Sequence, residues 1–184
     1  IYRSSDGTRA RVETWLRVAD GARLQWLPQE TILFDGAALD RRLVIDLAPD
    51  ASLLMCETLV FGRVLMGEVV QALDLRDRVA INRGGASIYR DGIALMGDVP
   101  AQLGRAAVAA GAGAVTQVVI VDANAAAHLD PVRAGLPDTG GASLLAEDVM
   151  VLRLVAADSF ELRKVLLPVL DRLSGGTLPG TWRM

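Results

Sequence analysis

The residues of this chain whose type and setting could do chemistry are carboxylates in apolar surroundings: Asp35, Asp46, Glu57, Glu68, Asp91 and Asp98. A pair of them could act as acid and base in hydrolysis, or offer oxygen ligands to a divalent cation. Asp35 and Asp91 each precede glycine, a pairing that commonly caps a turn, and Asp46 falls on the polar face of an alternating strand. Glu57 differs. Read as helical, its segment puts it on one face with Leu53, Phe61 and Val64, and Glu68 continues that face four residues after Val64. A carboxylate there needs a cation or hydrogen-bond donors. Arg63 is at hand, so a structural Glu57–Arg63 pair and a functional carboxylate are both open, with the structural role favoured for Glu57 and the functional one for Glu68.

Other chemistries have less to stand on. There is no G-x-S-x-G, and a Cys–His dyad would need the sole cysteine, Cys56, and the sole histidine, His128. Cys56 sits in the apolar run Leu53-Leu54-Met55-Cys56 and reads as core; His128 follows alanines and reads as a surface or helix-end residue. Structural zinc needs about four Cys or His ligands. Gly111-Ala112-Gly113-Ala114 lacks the third glycine of the dinucleotide fingerprint, and no Walker A motif is present.

Composition narrows the class. With 52% hydrophobic and 22% charged residues, the chain is globular, and its 184 residues suit a single domain over 1–184. A net charge of -3 argues against nucleic acid, which needs a clustered basic excess. Nearly all cations are arginine, Lys164 being the only lysine; a base-composition bias explains that as well as interface use does. One cysteine gives no internal disulfide, and no apolar run approaches the roughly 18 residues of a membrane span, so a cytoplasmic location with no membrane partner is expected. The start at Ile1, inside what reads as a strand, suggests a fragment.

These residues must be positioned mainly by strands. Turn signals recur at Asp6-Gly7, Asp20-Gly21, Asp35-Gly36 and Pro49-Asp50. Val12, Thr14, Leu16 and Val18 alternate with Glu13, Trp15 and Arg17, and Leu43, Ile45 and Leu47 with Arg42, Val44 and Asp46. A meander, a sandwich and a stacked solenoid-like sheet all fit. A short helix is expected near 52–64, weakened by Gly62 and Gly67 at about 1 kcal/mol each. Asp91-Gly92 predicts a hairpin turn, Gln117 to Val121 and Val149 to Val155 predict buried strands, and Asn124 to Leu136 could hold a helix. A C-terminal helix near 158–173 is expected from an Asp158/Glu161 capping box and the face Leu162, Val165, Leu166, Val169, Leu170, with Pro168 kinking or shortening it and Gly175-Gly176 ending it.

Three stretches carry a family resemblance. Gly21-Ala22-Arg23-Leu24-Gln25-Trp26, followed by Leu27-Pro28-Gln29-Glu30-Thr31-Ile32-Leu33-Phe34-Asp35-Gly36-Ala37, resembles a strand and following run of the urease accessory protein UreD (UreH) family. Glu57, Gly62, Arg63, Gly67 and Glu68 form E-x4-G-R-x3-G-E, which resembles that family's most specific signature. Asp158-Ser159-Phe160, Leu178-Pro179 and Trp182 are similar to its closing helix and tail. Gly180 departs from the pattern, standing where the family carries arginine, and agreement weakens between Ala101 and Gly141. The family's upstream strands, before the point matching Tyr2-Arg3-Ser4, are missing.

The resemblance implies a mainly β (α+β) fold with a few helices and stacked, β-helix-like sheets, and no enzymatic activity. It implies a metallochaperone scaffold for nickel insertion into urease, in complex with UreF, the GTPase UreG and apo-urease, with homo-oligomerisation only through that complex. No cofactor would be tightly bound; nickel would pass transiently along carboxylates such as Glu68, Glu57 and Asp35, because tight His or Cys sites would trap it. The competing reading is a hydrolase using Glu57 and Glu68 as a carboxylate pair, although eight aromatics make a poor wall for a sugar site. A small-ligand-binding β domain is a third reading, with only apolar content behind it.

Overall fold

The computed structural model describes residues 1, 3–63 and 66–183. Among them run β1 (Ala10–Val18), β2 (Arg23–Trp26), β3 (Thr31–Leu33), β4 (Ala38–Leu47), β5 (Ser52–Phe61), β6 (Ala72–Arg83), β7 (Ala86–Asp98), α1 (Val99–Leu103) and β8 (Ala114–Val121). Then come α2 (Ala125–Ala134), β9 (Gly140–Ala146), β10 (Val149–Ala156), α3 (Ser159–Ser174) and a 3-10 turn at Gly180–Trp182. The fold is mainly β with a few helices, as expected.

The chain packs as two compact units, one of Ile1–Ala22, Ile32–Ala51 and Phe61–Gly111, the other of Arg23–Thr31, Ser52–Val60 and Ala112–Met184. The first unit's sheet has the order β1-β4-β6-β7, parallel except for the β6-β7 hairpin. The second has the order β2-β5-β8-β10-β9, with β2 parallel to β5 and the remaining pairs antiparallel. Ala10 pairs with Leu39 and Arg23 with Ser52, the same offset of 29 residues in both sheets. Parallel pairing at this offset takes the chain through two turns before it returns to the same sheet, which accounts for the even spacing of turns in the first fifty residues.

Period two is realised as expected in β4, where Leu43, Ile45 and Leu47 are buried while Arg42 and Asp46 face out. In the first unit the register aligns Leu39 with Leu75 and Leu95, and Ile45 with Ile81 and Tyr89, as buried cross-strand rows. On the same inward face, Arg41 is opposite Asp77, and its Nε and Nη2 donate to the two carboxylate oxygens at 2.9 and 2.6 Å. Asp77 is only 3% exposed, so this bidentate geometry offsets its desolvation.

Two expected elements are corrected. Residues 52–61 are a strand, not a helix, and the end of the expected helix at Val64 lies outside the described residues. From Leu53 to Phe61 every residue is buried, because β5 is an interior strand covered on both faces. A run apolar at nearly every position matches a 3.6 period by default. The hairpin turn lies at Gly84-Gly85, with φ of 55° and 84°, and β7 runs straight through Asp91-Gly92. Gly92 serves close approach instead: a Cβ there would stand 3.1 Å from the Asp77 carbonyl oxygen.

The second unit's sheet packs Leu54, Cys56, Val118, Ile120, Met150 and Leu152 against Leu162, Leu166, Leu170 and Leu173 of α3. The Asp158 carboxylate caps α3 by accepting from the Glu161 N–H at 2.8 Å. Glu161 pairs with Lys164. The helix continues through Pro168 to Ser174 and ends on Gly175 in the left-handed conformation, φ 67°.

Asp77→Ala should destabilise the protein by about 3–5 kcal/mol in urea denaturation, by removing the carboxylate to which both guanidinium bonds are directed. A loss below about 1 kcal/mol would show that the pair is dispensable.

Candidate functional site

The structure brings together Asp35 and Glu68, both in the first unit, through two glycine-dependent turns. Gly62 has φ 76°, and a Cβ on it would lie 3.0 Å from the Glu68 carbonyl oxygen and from Val70 Cγ2. That closeness folds the segment after β5 back on itself, so that Arg63 Nε donates to Glu68 Oε2 at 3.0 Å while its guanidinium lies 4.6 Å from the centre of the Phe34 ring. Gly67, at φ 73°, supplies the second reversal.

The other turn is Phe34-Asp35-Gly36. Asp35 Oδ1 accepts from the backbone N–H of Gln71 (2.8 Å) and Ala72 (3.0 Å), and Oδ2 accepts from Arg3 Nη2. Gly36 has φ 72°, and a Cβ there would come within 3.0 Å of the Arg3 side chain. Glu68 Oε1 accepts a longer bond, 3.4 Å, from the Asp35 N–H. Four charges thus form two ion pairs joined at one backbone amide. Arg3 and Arg63 are about half exposed or more, whereas the carboxylates are largely covered.

The electrostatics follow. Asp35 is held below the ordinary carboxylate range, chiefly by the N–H groups of Ala72 and Gln71 and further by Arg3. Glu68 is likewise lowered, first by its hydrogen bond from Arg63. A glycosidase-type general acid needs its pKa raised; Arg63 drives Glu68 the other way.

Glu57 belongs to the second unit. The expected Glu57–Arg63 pair is replaced: Arg63 takes Glu68, and Glu57 Oε1 accepts from Trp26 Nε1 at 2.6 Å. On a strand, Glu57 faces Gln117 of β8 across the ladder, and both are buried. A helical reading could not reveal this, and Trp26 carried no charge to flag it. Sequence reasoning also missed Arg163, which pairs with Glu30 at 2.9 Å, donates to Gln29 Oε1 at 2.8 Å and stacks over Trp182. Trp182, fully buried, donates to the Leu27 carbonyl at 2.9 Å. The Leu27-Pro28-Gln29-Glu30 run is thus anchored on α3 and the tail. Of the remaining carboxylates, Asp46 accepts from Asn82 Nδ2, Asp91 from the Tyr89 hydroxyl, and Asp98 caps α1.

Cys56 is completely buried, with its Sγ 3.5 Å from Thr116 Oγ1, and burial pushes its thiol up to about 12. His128 is the fourth residue of α2 and is half-buried. Among the described residues, no group of three His, Cys, Asp or Glu is arranged to hold a metal. Asp35 and Glu68 are two oxygen donors already engaged by arginine, a donor set that does not fit a resident metal.

Fold and site together define a mainly β protein whose polar clusters are ion pairs locked into glycine turns. The sequence model of the UreD urease accessory protein family matches residues 1–182. The chain is similar to the urease accessory protein UreD of Ruegeria pomeroyi, 48% identical over 98% of this chain and 70% of that protein. It is also similar to UreD of Roseobacter denitrificans, 47% identical over 100% and 67%, and to UreD 1 of Brucella melitensis, 44% identical over 99% and 66%. The chain belongs to the UreD family of urease accessory proteins, and it spans about two thirds of the length of these relatives.

Two predictions follow from this geometry. A carboxyl whose folded pKa is depressed adds stability above its unfolded pKa, about 4, and that stability is lost as pH falls through the lower folded value. Asp35→Asn should therefore lower stability at pH 7 and flatten the decline below about pH 4 in pH-dependent denaturation; an unaltered acid limb would contradict the assignment. Cys56 should resist an aromatic disulfide reagent at pH 8 in the native protein and react at once when unfolded, and rapid native labelling would show that β5 opens.

Proposed function

We propose that this chain is the core of a non-catalytic scaffold for urease maturation, working with UreF, the GTPase UreG and apo-urease to insert nickel. The observation that carries the reading is family membership over residues 1–182. Its site of action would be the cytoplasm; among the described residues no helix is long and apolar enough to cross a membrane. Nickel is cargo, met transiently by carboxylate oxygens and not retained; homo-oligomers would arise through the partner complex.

Within that role the three carboxylates divide. Asp35 has its oxygens committed to Gln71, Ala72 and Arg3, and it shapes the turn. Glu57 serves the interior of β5 beside Trp26. Glu68 has a side chain that is 21% exposed, and its ion-pair partner Arg63, at 48%, can swing aside. Glu68 is therefore the residue we assign to the cargo. A neutral amide oxygen attracts a divalent cation far less than a carboxylate does.

In a full-length protein, Glu68→Gln should keep its thermal stability within a few degrees and still bind UreF, yet reduce urease activation several-fold. Glu57→Gln should lose about 1–2 kcal/mol of stability through the weakened Trp26 bond and activate urease normally per folded molecule. Unimpaired activation by a stable Glu68→Gln protein would remove Glu68 from the path. If the full-length wild type raised no urease activity and joined neither UreF nor urease, the scaffold reading itself would fail.

A further inference from the structure

The outward face of the first unit's sheet is a lattice of charge. Its cross-strand rows read Arg11–Asp40–Arg76–Ala94, Glu13–Arg42–Arg78–Gly92, Trp15–Val44–Ala80–Arg90 and Arg17–Asp46–Asn82–Ser87. Six arginines stand against three carboxylates in these rows; two further carboxylates of the face lie beyond them towards α1, Asp74 paired with Arg9 and Asp98 capping that helix, so cations remain in the majority in a chain whose net charge is -3. All six arginines are exposed. Asp40 is claimed by Arg78, and Arg11 and Arg76 add to its lowered pKa; Asp46 accepts from Asn82. Among the described residues, Arg11, Arg17, Arg42, Arg76 and Arg90 take part in no ion pair.

Trp15 stands within this lattice, 54% exposed, with the Arg42 guanidinium 5.1 Å from its ring centre. Exposing a tryptophan on a strand face forfeits the burial that its area could contribute. Tryptophan flanked by arginine is also the composition that dominates binding energy at protein interfaces. Arginine forks fit carboxylates bidentately, and all six cations on this face are arginine. A strand lattice sets them about 5 Å apart across strands and about 7 Å along them.

We propose that this face is a docking surface for an acidic protein partner, seated around Trp15 and held by Arg11, Arg42, Arg76 and Arg90. The interleaved carboxylates Glu13, Asp40 and Asp46 decide the class of partner. A nucleic-acid backbone presents phosphate at every step and meets repulsion at each of those positions, whereas a protein surface can set a cation opposite each acid. The inference rests on the scaffold reading for its probes, purified apo-urease and purified UreF.

The test uses the full-length protein with Arg11, Arg76 and Arg90 all changed to Glu, and a second protein with the same three changed to Gln. For one of the two probes, the Glu variant should bind at least tenfold more weakly than wild type at 50 mM salt, with the Gln variant between them. Wild-type binding of that probe should weaken about tenfold between 50 and 300 mM salt, as screening of exposed charge requires. The melting temperature of the Gln variant should stay within a few degrees, so that variant decides the matter if the Glu variant does not fold. Undiminished binding of both probes by the variants would overturn the docking surface and leave the scaffold reading standing. Wild-type protein binding neither probe would take down both. Tighter binding of a 20-base-pair DNA duplex than of either protein at 150 mM salt would overturn the assignment to a protein partner.

Discussion

The close approach at Gly62 is the constraint on which the first unit's architecture rests. At φ 76°, with the Glu68 carbonyl 3.0 Å from the place a Cβ would take, no other residue fits without moving the segment that follows. The consequence extends beyond the turn. Once residues 66–71 are folded back, the N–H groups of Gln71 and Ala72 reach the Asp35 carboxylate, and the Gly36 N–H reaches the Ala72 carbonyl at 2.8 Å. Those bonds fix where β6 begins, and the Asp74 N–H then finds the Ala37 carbonyl at 3.0 Å. A one-residue slip would turn Leu75, Val79 and Ile81 outward and bring Arg76 and Arg78 inward. The glycine turn thus governs a twelve-residue strand.

Register, once fixed, sorts the charges. Arg41 and Asp77 meet inside, where the bidentate fork makes burial tolerable, while their sequence neighbours Asp40 and Arg78 meet outside. In a parallel sheet the same rows continue from β1 through β4 to β6, so the charges along each strand are carried into rows across the strands. The arginine surplus on the outer face is therefore tied to register. A base-composition bias accounts for a high number of arginines; it does not account for six of them on one face of one sheet.

Much of this was legible in the sequence. The alternation of β1 and β4, the even turns, the capped α3 with its leucine face and the buried β8 and β10 could all be read from residue types, because in each the pattern discriminates one face from another. β5 could not, since an interior strand with two buried faces has no alternation and satisfies any period. Asp91-Gly92 misled for a related reason: glycine there serves the neighbouring backbone and not a turn, and only the pairing partner reveals it. Asp35 and Glu68 stood among the carboxylates singled out, with Glu68 matched to Glu57; that the fold brings Glu68 to Asp35 instead left no signal, because the partners Arg3 and Ala72 come from distant segments. The Trp26–Glu57 bond was hidden because an indole N–H leaves no charge signature.

The E-x4-G-R-x3-G-E signature combines two unrelated physical tasks. Glu57 sits in the run that the second unit uses as an interior strand, and one of its carboxylate oxygens accepts from an indole donor. Gly62 to Glu68 belong to the first unit, where two positive-φ glycines and one ion pair close a loop. The signature spans the point at which the chain passes from one unit to the other. Its fixed spacing follows from that: five residues from Glu57 are needed to finish the strand before Gly62 can turn, and the next five place Glu68 back beside Arg63. A length change between Glu57 and Gly62 would shift β5 by one residue and put Glu57 on the face now held by Cys56 and Thr58, against α3, where the Trp182 indole is already committed to the Leu27 carbonyl. The spacing is specific because both tasks must be satisfied by one continuous stretch of backbone.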